Sequence, residues 1–345
     1  MQANYSKYKL QFRQSAGTSR GVLTEKETWF LKIVDDKGNT GIGECGMFKG
    51  LSYDDRPDYE SRLFWVCQNI HQDKEQLLEQ LQDFPSIQIG LETAFLSLKA
   101  NDRQQLFNTD FSNGKLGIPI NGLIWMGKPD FMYQQIDQKL DDGFSCLKLK
   151  IGAIDFAQEL EILNSIRKRY SQDDLTIRVD ANGAFPPADA MSYLEQLAEL
   201  KIHSIEQPVK PEFIDDLTEL CKKTPLPIAL DESLIGITDV TKKQSLLQTI
   251  QPQFIILKPS LVGGFKGTDE WIDIAENLNI DWWITSALES NIGLNAIAQY
   301  TSTKIIDKPQ GLGTGGLFTN NIVSPLEIIK EELWFNTDKN WQINL

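Results

Sequence analysis

Histidine is almost absent from this chain of 345 residues, where His71 and His203 are the only two. A zinc centre built on imidazoles, or a serine-type triad, would have almost nothing to draw on. Cysteine is sparse as well. Cys45, Cys67, Cys146 and Cys221 are scattered and show no Cys-x-x-Cys spacing, so neither a disulfide framework nor a thiolate metal cluster is indicated. No stretch approaches the roughly 18 to 20 apolar residues of a membrane-spanning helix, and Met1 to Leu10 lacks the basic-then-apolar profile of a signal peptide. Positive charge is in deficit. The 34 Lys and Arg against 48 Asp and Glu leave a net charge of −14, which opposes electrostatic capture of nucleic acid or anionic lipid. These absences predict a cytoplasmic protein with reduced thiols, no nucleic-acid or membrane partner, and a small-molecule substrate. Its chemistry must rest on carboxylates and lysines.

Two patterns divide the chain. Residues 1–110 mix alternating apolar stretches at 8–12 and 28–34 with helical spacing at 59–81 and 87–99, and Asp35-Asp36-Lys37-Gly38-Asn39 reads as a hairpin turn. This predicts a small α+β domain. Residues 111–316 instead repeat a short apolar strand followed by an amphipathic helix. Strands are expected at 118–125, 144–151, 175–180, 203–206, 227–231, 254–258, 281–286 and near Gly311, the last being more loop than strand by composition. Eight such units close into a parallel (β/α)8 barrel, so the fold class expected is α/β. Residues 317–345 are expected to pack back on the N-terminal domain.

Strands of a parallel barrel are buried on both faces and should be apolar, so charges at their ends need a reason. Such charges stand in Leu147-Lys148-Leu149-Lys150, Arg178-Val179-Asp180, Ile205-Glu206, Leu230-Asp231-Glu232 and Leu257-Lys258. The steps are 26 residues from Asp180 to Glu206, 25 to Asp231 and 27 to Lys258, about one β/α unit each. A lone Asp after a strand most often caps the next helix. Three acids in register at one barrel mouth repel one another unless a cation neutralises them. Oxygen ligands from Asp180, Glu206 and Asp231 suit Mg2+, with Mn2+ able to take its place.

Strands two and six of an eight-stranded barrel lie opposite each other, which puts Lys150 and Lys258 on facing walls. Alternation turns Lys148 and Lys150 to the same strand face. Lys150, nearer the strand end, is the better base; Lys148 is its electrostatic neighbour or the partner of a metal carboxylate. The chemistry this predicts is removal of an α-proton by a lysine from a metal-chelated carboxylate, with the enediolate stabilised by the metal.

Taken in order, these motifs resemble the enolase superfamily, in particular its branch with Lys-x-Lys on strand two and Lys on strand six. Three further segments are similar to the o-succinylbenzoate synthase family of dehydratases: Ala16-Gly17-Thr18-Ser19-Arg20-Gly21, Ser286-Ala287-Leu288-Glu289-Ser290-Asn291-Ile292-Gly293, and Gly311-Leu312-Gly313-Thr314. The resemblance implies that the N-terminal domain caps the barrel and that a cap loop carrying Ser19 and Arg20 folds over the substrate. It implies Mg2+-dependent dehydration of 2-succinyl-6-hydroxy-2,4-cyclohexadiene-1-carboxylate in menaquinone biosynthesis, with Lys150 as base and Lys258 as electrostatic stabiliser. Arg178, Asn182 and Ser286 would hold substrate carboxylates, and Glu232 would support the ion pairs around the lysines. For Arg178 an ion pair inside the barrel is an equal expectation.

The same lysine pair serves racemases and epimerases. A dipeptide epimerase would carry Asp-x-Asp at the eighth strand, where this chain has Gly311-Leu312-Gly313-Thr314. An N-acylamino acid racemase stays open as the alternative. A barrel kept only for binding predicts erosion of a ligand or base, and all five positions are filled.

Overall fold

In the computed structural model, which describes residues 1–18, 21–100 and 104–344, the N-terminal alternation becomes an antiparallel sheet of β1 (Gln2–Thr18), β2 (Gly21–Val34) and β3 (Thr40–Cys45). The turn at 35–39 is held by the Asp35 carboxylate, which accepts the backbone N–H of Lys37 at 2.9 Å and of Asn39 at 2.8 Å. Helices α1 (Tyr59–Asn69), α2 (Lys74–Glu79) and α3 (Pro85–Lys99) follow. The single helical stretch expected at 59–81 is two helices, because the Asp73 side chain accepts from Glu75 and Gln76 N–H and starts a new one. Helix α3 lies directly on β3. A Cβ on Gly43 would stand 1.9 Å from the Gly90 carbonyl oxygen, so only glycine permits this approach. Trp29, Leu31, Ile33, Leu63, Val66 and Leu91 fill the space between sheet and helices, each fully buried apolar side chain contributing about 1.5–3 kcal/mol.

The barrel strands are short because only their inner portions ladder. After β4 (Ile118–Pro119) come β5 (Gly122–Ile124), α4 (Pro129–Asp141), β6 (Cys146–Lys150), α5 (Phe156–Arg169), β7 (Thr176–Asp180), α6 (Pro187–Glu199), β8 (Ser204–Glu206), α7 (Ile214–Lys223), β9 (Ile228–Leu230), α8 (Val240–Ile250), β10 (Phe254–Leu257), α9 (Pro259–Val262), α10 (Gly264–Asn277), β11 (Asp281–Ile284) and α11 (Asn291–Thr301). Strands β5 to β11 form a seven-stranded parallel sheet in sequential order. The expected eighth strand is reduced to Gln310 and Gly311, which bridge Ile120 on one edge and Thr285 on the other. Hydrogen bonds from Gln310 N to Pro119 O (2.8 Å) and from Gly311 N to Ile284 O (2.9 Å) join the edges there.

The first expected strand, 118–125, splits. Ile118 and Pro119 pair antiparallel with β13 (Glu332–Phe335), itself paired with β12 (Leu326–Ile329), while Gly122–Ile124 joins the barrel. The C-terminal residues reach the N-terminal sheet as well, through a bridge between Phe318 and Phe12 and the hydrogen bond from Arg13 N to Leu317 O. Among the described residues no helix is long and apolar enough to cross a membrane.

Candidate active site

Parallel register sets the level of each charge. Lys150 pairs with Asp180 and Asp180 with Glu206, so three strand ends present their groups at one height. Asp231 follows β9 directly and Lys258 follows β10. Strand β6 lies four strands from β10 in an eight-membered ring, which sets Lys150 and Lys258 on opposite walls. Both line one cavity, open to solvent, between the barrel mouth and the cap residues Phe48 and Leu51.

The charges form a continuous row. Lys150 Nζ is 2.9 Å from an Asp180 oxygen and 2.8 Å from Asn182 Oδ1. Lys148 reaches the same Asp180 oxygen at 2.9 Å and pairs with Glu206. Lys258 pairs with Asp231 and lies 3.9 Å from Glu206. The carboxylates are at most 2 % exposed and the lysine side chains 11–14 %, so little water screens these pairs. Burial pulls the Lys148 ammonium down, but Asp180 and Glu206 outweigh it and hold it well above its ordinary value. Burial likewise opposes the charge on Lys258, and Asp231 and Glu206 reverse that and raise it. Asp180 resists burial because Lys148, Lys150 and Lys258 hold it far below the usual carboxylate range. Glu206, between two other acids, is pushed up to about 8 by burial and then by Asp180. Burial raises Asp231 against the pull of Lys258.

Neither oxygen of Glu206 completes a hydrogen bond, although Lys148 stands against one of them as an ion pair. Two buried carboxylate oxygens with no completed hydrogen bond, set between Asp180 and Asp231, fit a hard divalent cation. Among the described residues no three acids are drawn together as in a metal cluster, because the ammonium groups stand between them. Those groups ride on flexible four-carbon stems.

The family described as Enolase C-terminal domain-like matches residues 132–307. The o-succinylbenzoate synthase of Desulfotalea psychrophila is 44 % identical over 95 % of this chain and 97 % of its own. The chain belongs to the enolase superfamily. It is an enzyme of the lyase class. The crystal structure of MenC from Desulfotalea psychrophila superposes on this superfamily member with a TM-score of 0.86, at 40 % identity, covering 97 % of this chain and 99 % of that one. The L-Ala-D/L-Glu epimerase of Bacillus subtilis is 26 % identical over 81 % of this chain and 78 % of its own.

The positions expected for substrate contacts divide. Asn182, at φ 45°, and Ser286 line the cavity. The Asn182 amide donates to Glu232 at 3.0 Å, which ties Lys150 to Glu232 through one side chain, and the Ser286 hydroxyl shares a hydrogen bond of 2.6 Å with Thr314. Arg178 does not reach the cavity. It points inward one level below Asp180, donates to Pro309 O at 2.8 Å and stacks 4.1 Å from the centre of the Trp283 ring. Burial lowers its guanidinium below the ordinary value. This corrects the expectation of a substrate contact and also of an ion pair: the partner is an aromatic face. Ser19 and Arg20 lie outside the described residues. Sequence reasoning missed Asn121, Leu123, Trp125 and Thr285, which also line the cavity. Neutral residues at strand ends carry no signal of the kind a buried charge does.

Proposed function

We propose that the protein is an o-succinylbenzoate synthase, converting 2-succinyl-6-hydroxy-2,4-cyclohexadiene-1-carboxylate to o-succinylbenzoate in menaquinone biosynthesis. The observation that carries this reading is the sign of the cavity wall. Its charged lining residues are Lys148, Lys150 and Lys258, and the eighth strand position contributes Gly311, Gly313 and Thr314. A cavity with cationic walls suits a substrate with two carboxylates. A dipeptide would bring an ammonium group to a wall that, among the described residues, has no lining acid to receive it. The relationship to the Desulfotalea enzyme supports the same choice.

In this reading Lys150, oriented by Asp180 and Asn182, takes the proton from the carbon next to the ring carboxylate. The ammonium so formed delivers a proton to the departing hydroxyl, the C–O bond breaks, and water leaves. Lys258 faces the reacting carbon from the other wall, where its positive charge stabilises the negative charge that develops. Asp180, Glu206 and Asp231 would hold a divalent cation, Mg2+ by the hardness of their oxygens, which when bound supplies the fixed positive charge that orients a substrate carboxylate and acidifies its α-proton. Leu51, Leu123, Trp125 and Leu288 wall the remainder of the cavity and strengthen these interactions by excluding water. Formation of the aromatic ring makes the step irreversible.

The test offers the purified protein, with Mg2+, the cyclohexadiene substrate and, in parallel, N-succinylamino acids and dipeptides. Formation of o-succinylbenzoate without exchange at the α-carbon of the amino-acid compounds is expected. Racemisation with no dehydration would replace this reading with an N-acylamino acid racemase.

A further inference from the structure

A buried charged cluster that the chemistry above does not use crosses the seam between cap and barrel. Lys26 of β2 and Glu44 of β3 meet Glu289, from the loop joining β11 to α11, and the three are 6 %, 2 % and 1 % exposed. Glu44 is well supported. It sits on the N-terminus of α11, accepting the backbone N–H of Ser290 and of Gly293, each at 2.9 Å, the Ser290 hydroxyl, and the Thr28 hydroxyl at 2.8 Å. Among the described residues Glu289 accepts from the Ala287 N–H at 2.7 Å and from the Ser260 hydroxyl. Ala287 lines the cavity, and Ser260 stands two residues beyond its lining residue Lys258.

Lys26 makes one long hydrogen bond in this seam among the described residues, 3.4 Å to Gly46 O; burial lowers its ammonium below the ordinary value, and Glu44 and Glu289 draw it back. A Cβ on Gly46 would stand 3.7 Å from both Lys26 Nζ and a Glu289 oxygen, so the two charges flank the same glycine without closing into a direct ion pair. A Cβ on Gly293 would stand 2.9 Å from Glu289 Cγ and 2.9 Å from a Glu44 oxygen, so the two acids are also neighbours. The charged groups facing Glu289 are thus Lys26 and Glu44, with the Ser260 hydroxyl on the α9 side. Burial raises the Glu289 carboxyl and Lys26 draws it back.

We propose that Lys26 and Glu289 are positioning residues: the attraction of their opposite charges across the seam latches the cap onto the Ser286–Ser290 loop and onto Ser260 behind Lys258, so that the cavity assembles only when cap and barrel are engaged. The inference rests on the functional reading above for its kinetic effect, but not for its structural one. Lys26 supplies the counter-charge that Glu289 lacks, whereas Glu44 is supported by a helix end and tolerates the loss of Lys26.

The test compares Lys26→Met, Glu289→Gln and the double variant by steady-state kinetics and by hydrogen exchange of the 286–293 amides. Lys26→Met is expected to lower kcat/KM about tenfold near pH 8, because an acid left unpaired in a dry seam distorts what it holds. Its ratio to the parent enzyme should recover as the pH falls and Glu289 takes up a proton. Adding Glu289→Gln should bring activity back to within about threefold, and exchange at 286–293 should rise in Lys26→Met and fall again in the double variant. A double variant as impaired as Lys26→Met, or parental exchange in Lys26→Met, overturns the latch. If Lys26→Met does not fold, Glu289→Gln alone decides: a kcat about threefold lower supports the latch, and a parental kcat with parental exchange overturns it. Absence of o-succinylbenzoate formation by the parent enzyme sinks the functional reading alone, since the exchange data judge the latch separately.

Discussion

The mouth and the floor of the barrel are walled by the same strands, yet charges behave differently in them. At the mouth, Lys150, Asp180 and Glu206 share one level, and Lys150 opens onto the cavity. Two residues lower, Lys148 and Arg178 share the next level and diverge. Lys148 extends upward to Asp180 and Glu206, while Arg178 lies against Trp283 and the Pro309 carbonyl. A step of two residues, about 6–7 Å along a strand, separates the two levels, and on the lower one Lys148 still lines the cavity whereas Arg178 packs the interior. An inward orientation therefore does not make a charge functional; its height in the barrel and the direction of its long stem do.

The sharpest test of that contrast is at the mouth. Lys150→Ala should lower kcat about 10³-fold with melting temperature little changed, and stopped assays of substrate loss would measure it; residual activity near the parental level would remove Lys150 from the chemistry. Glu206→Gln comes next. Replacing a charged oxygen donor should weaken Mg2+ binding at least about tenfold in calorimetric titration, and unchanged affinity would move the cation elsewhere.

At the floor the balance reverses. Arg178→Met keeps the apolar stem but loses the Trp283 face and leaves the Pro309 carbonyl without its donor, so unfolding should become easier by about 1–3 kcal/mol. Its KM should stay within about twofold of the parent, because a group outside the cavity offers no ground-state contact; a large rise in KM would put Arg178 back among substrate contacts. The smallest effect concerns His203, also at the floor, which burial and then Arg178 lower to about 4. Below its ordinary value near 6.5 the unfolded chain takes a proton that the folded chain refuses. Stability should therefore decline as the pH falls from about 6.5 towards 4, and His203→Gln should flatten that decline. Because the ring is partly exposed, the difference should stay under about 1 kcal/mol in melts across that range; an identical pH slope in the variant would assign the decline to other groups.

Several elements were legible before any coordinates. The strand–helix alternation places seven of the eight barrel strands within a few residues of their observed spans, because burial on both faces demands continuous apolar runs bounded by turn residues. The eighth was read as loop-like, and Gln310–Gly311 does no more than bridge two edges. Pro119 lies between two destinies that composition does not distinguish: Ile118 and Pro119 turn to the C-terminal hairpin and Gly122–Ile124 to the barrel. Asp73, an ordinary residue in an amphipathic pattern, breaks one expected helix into two by capping.

The linear order of residues settled which chemistry is available: acids and amines at strand ends spaced by one β/α unit, in a chain almost without histidine. Spacing suffices for this because each unit returns the chain to the same end of the barrel. Only the folded arrangement decided which inward groups reach the cavity, that its charged wall is cationic, and that Lys26, Glu44 and Glu289 meet across the seam, 18 to 263 residues apart in the chain. Those facts depend on distances between segments remote in sequence, and no local periodicity encodes them.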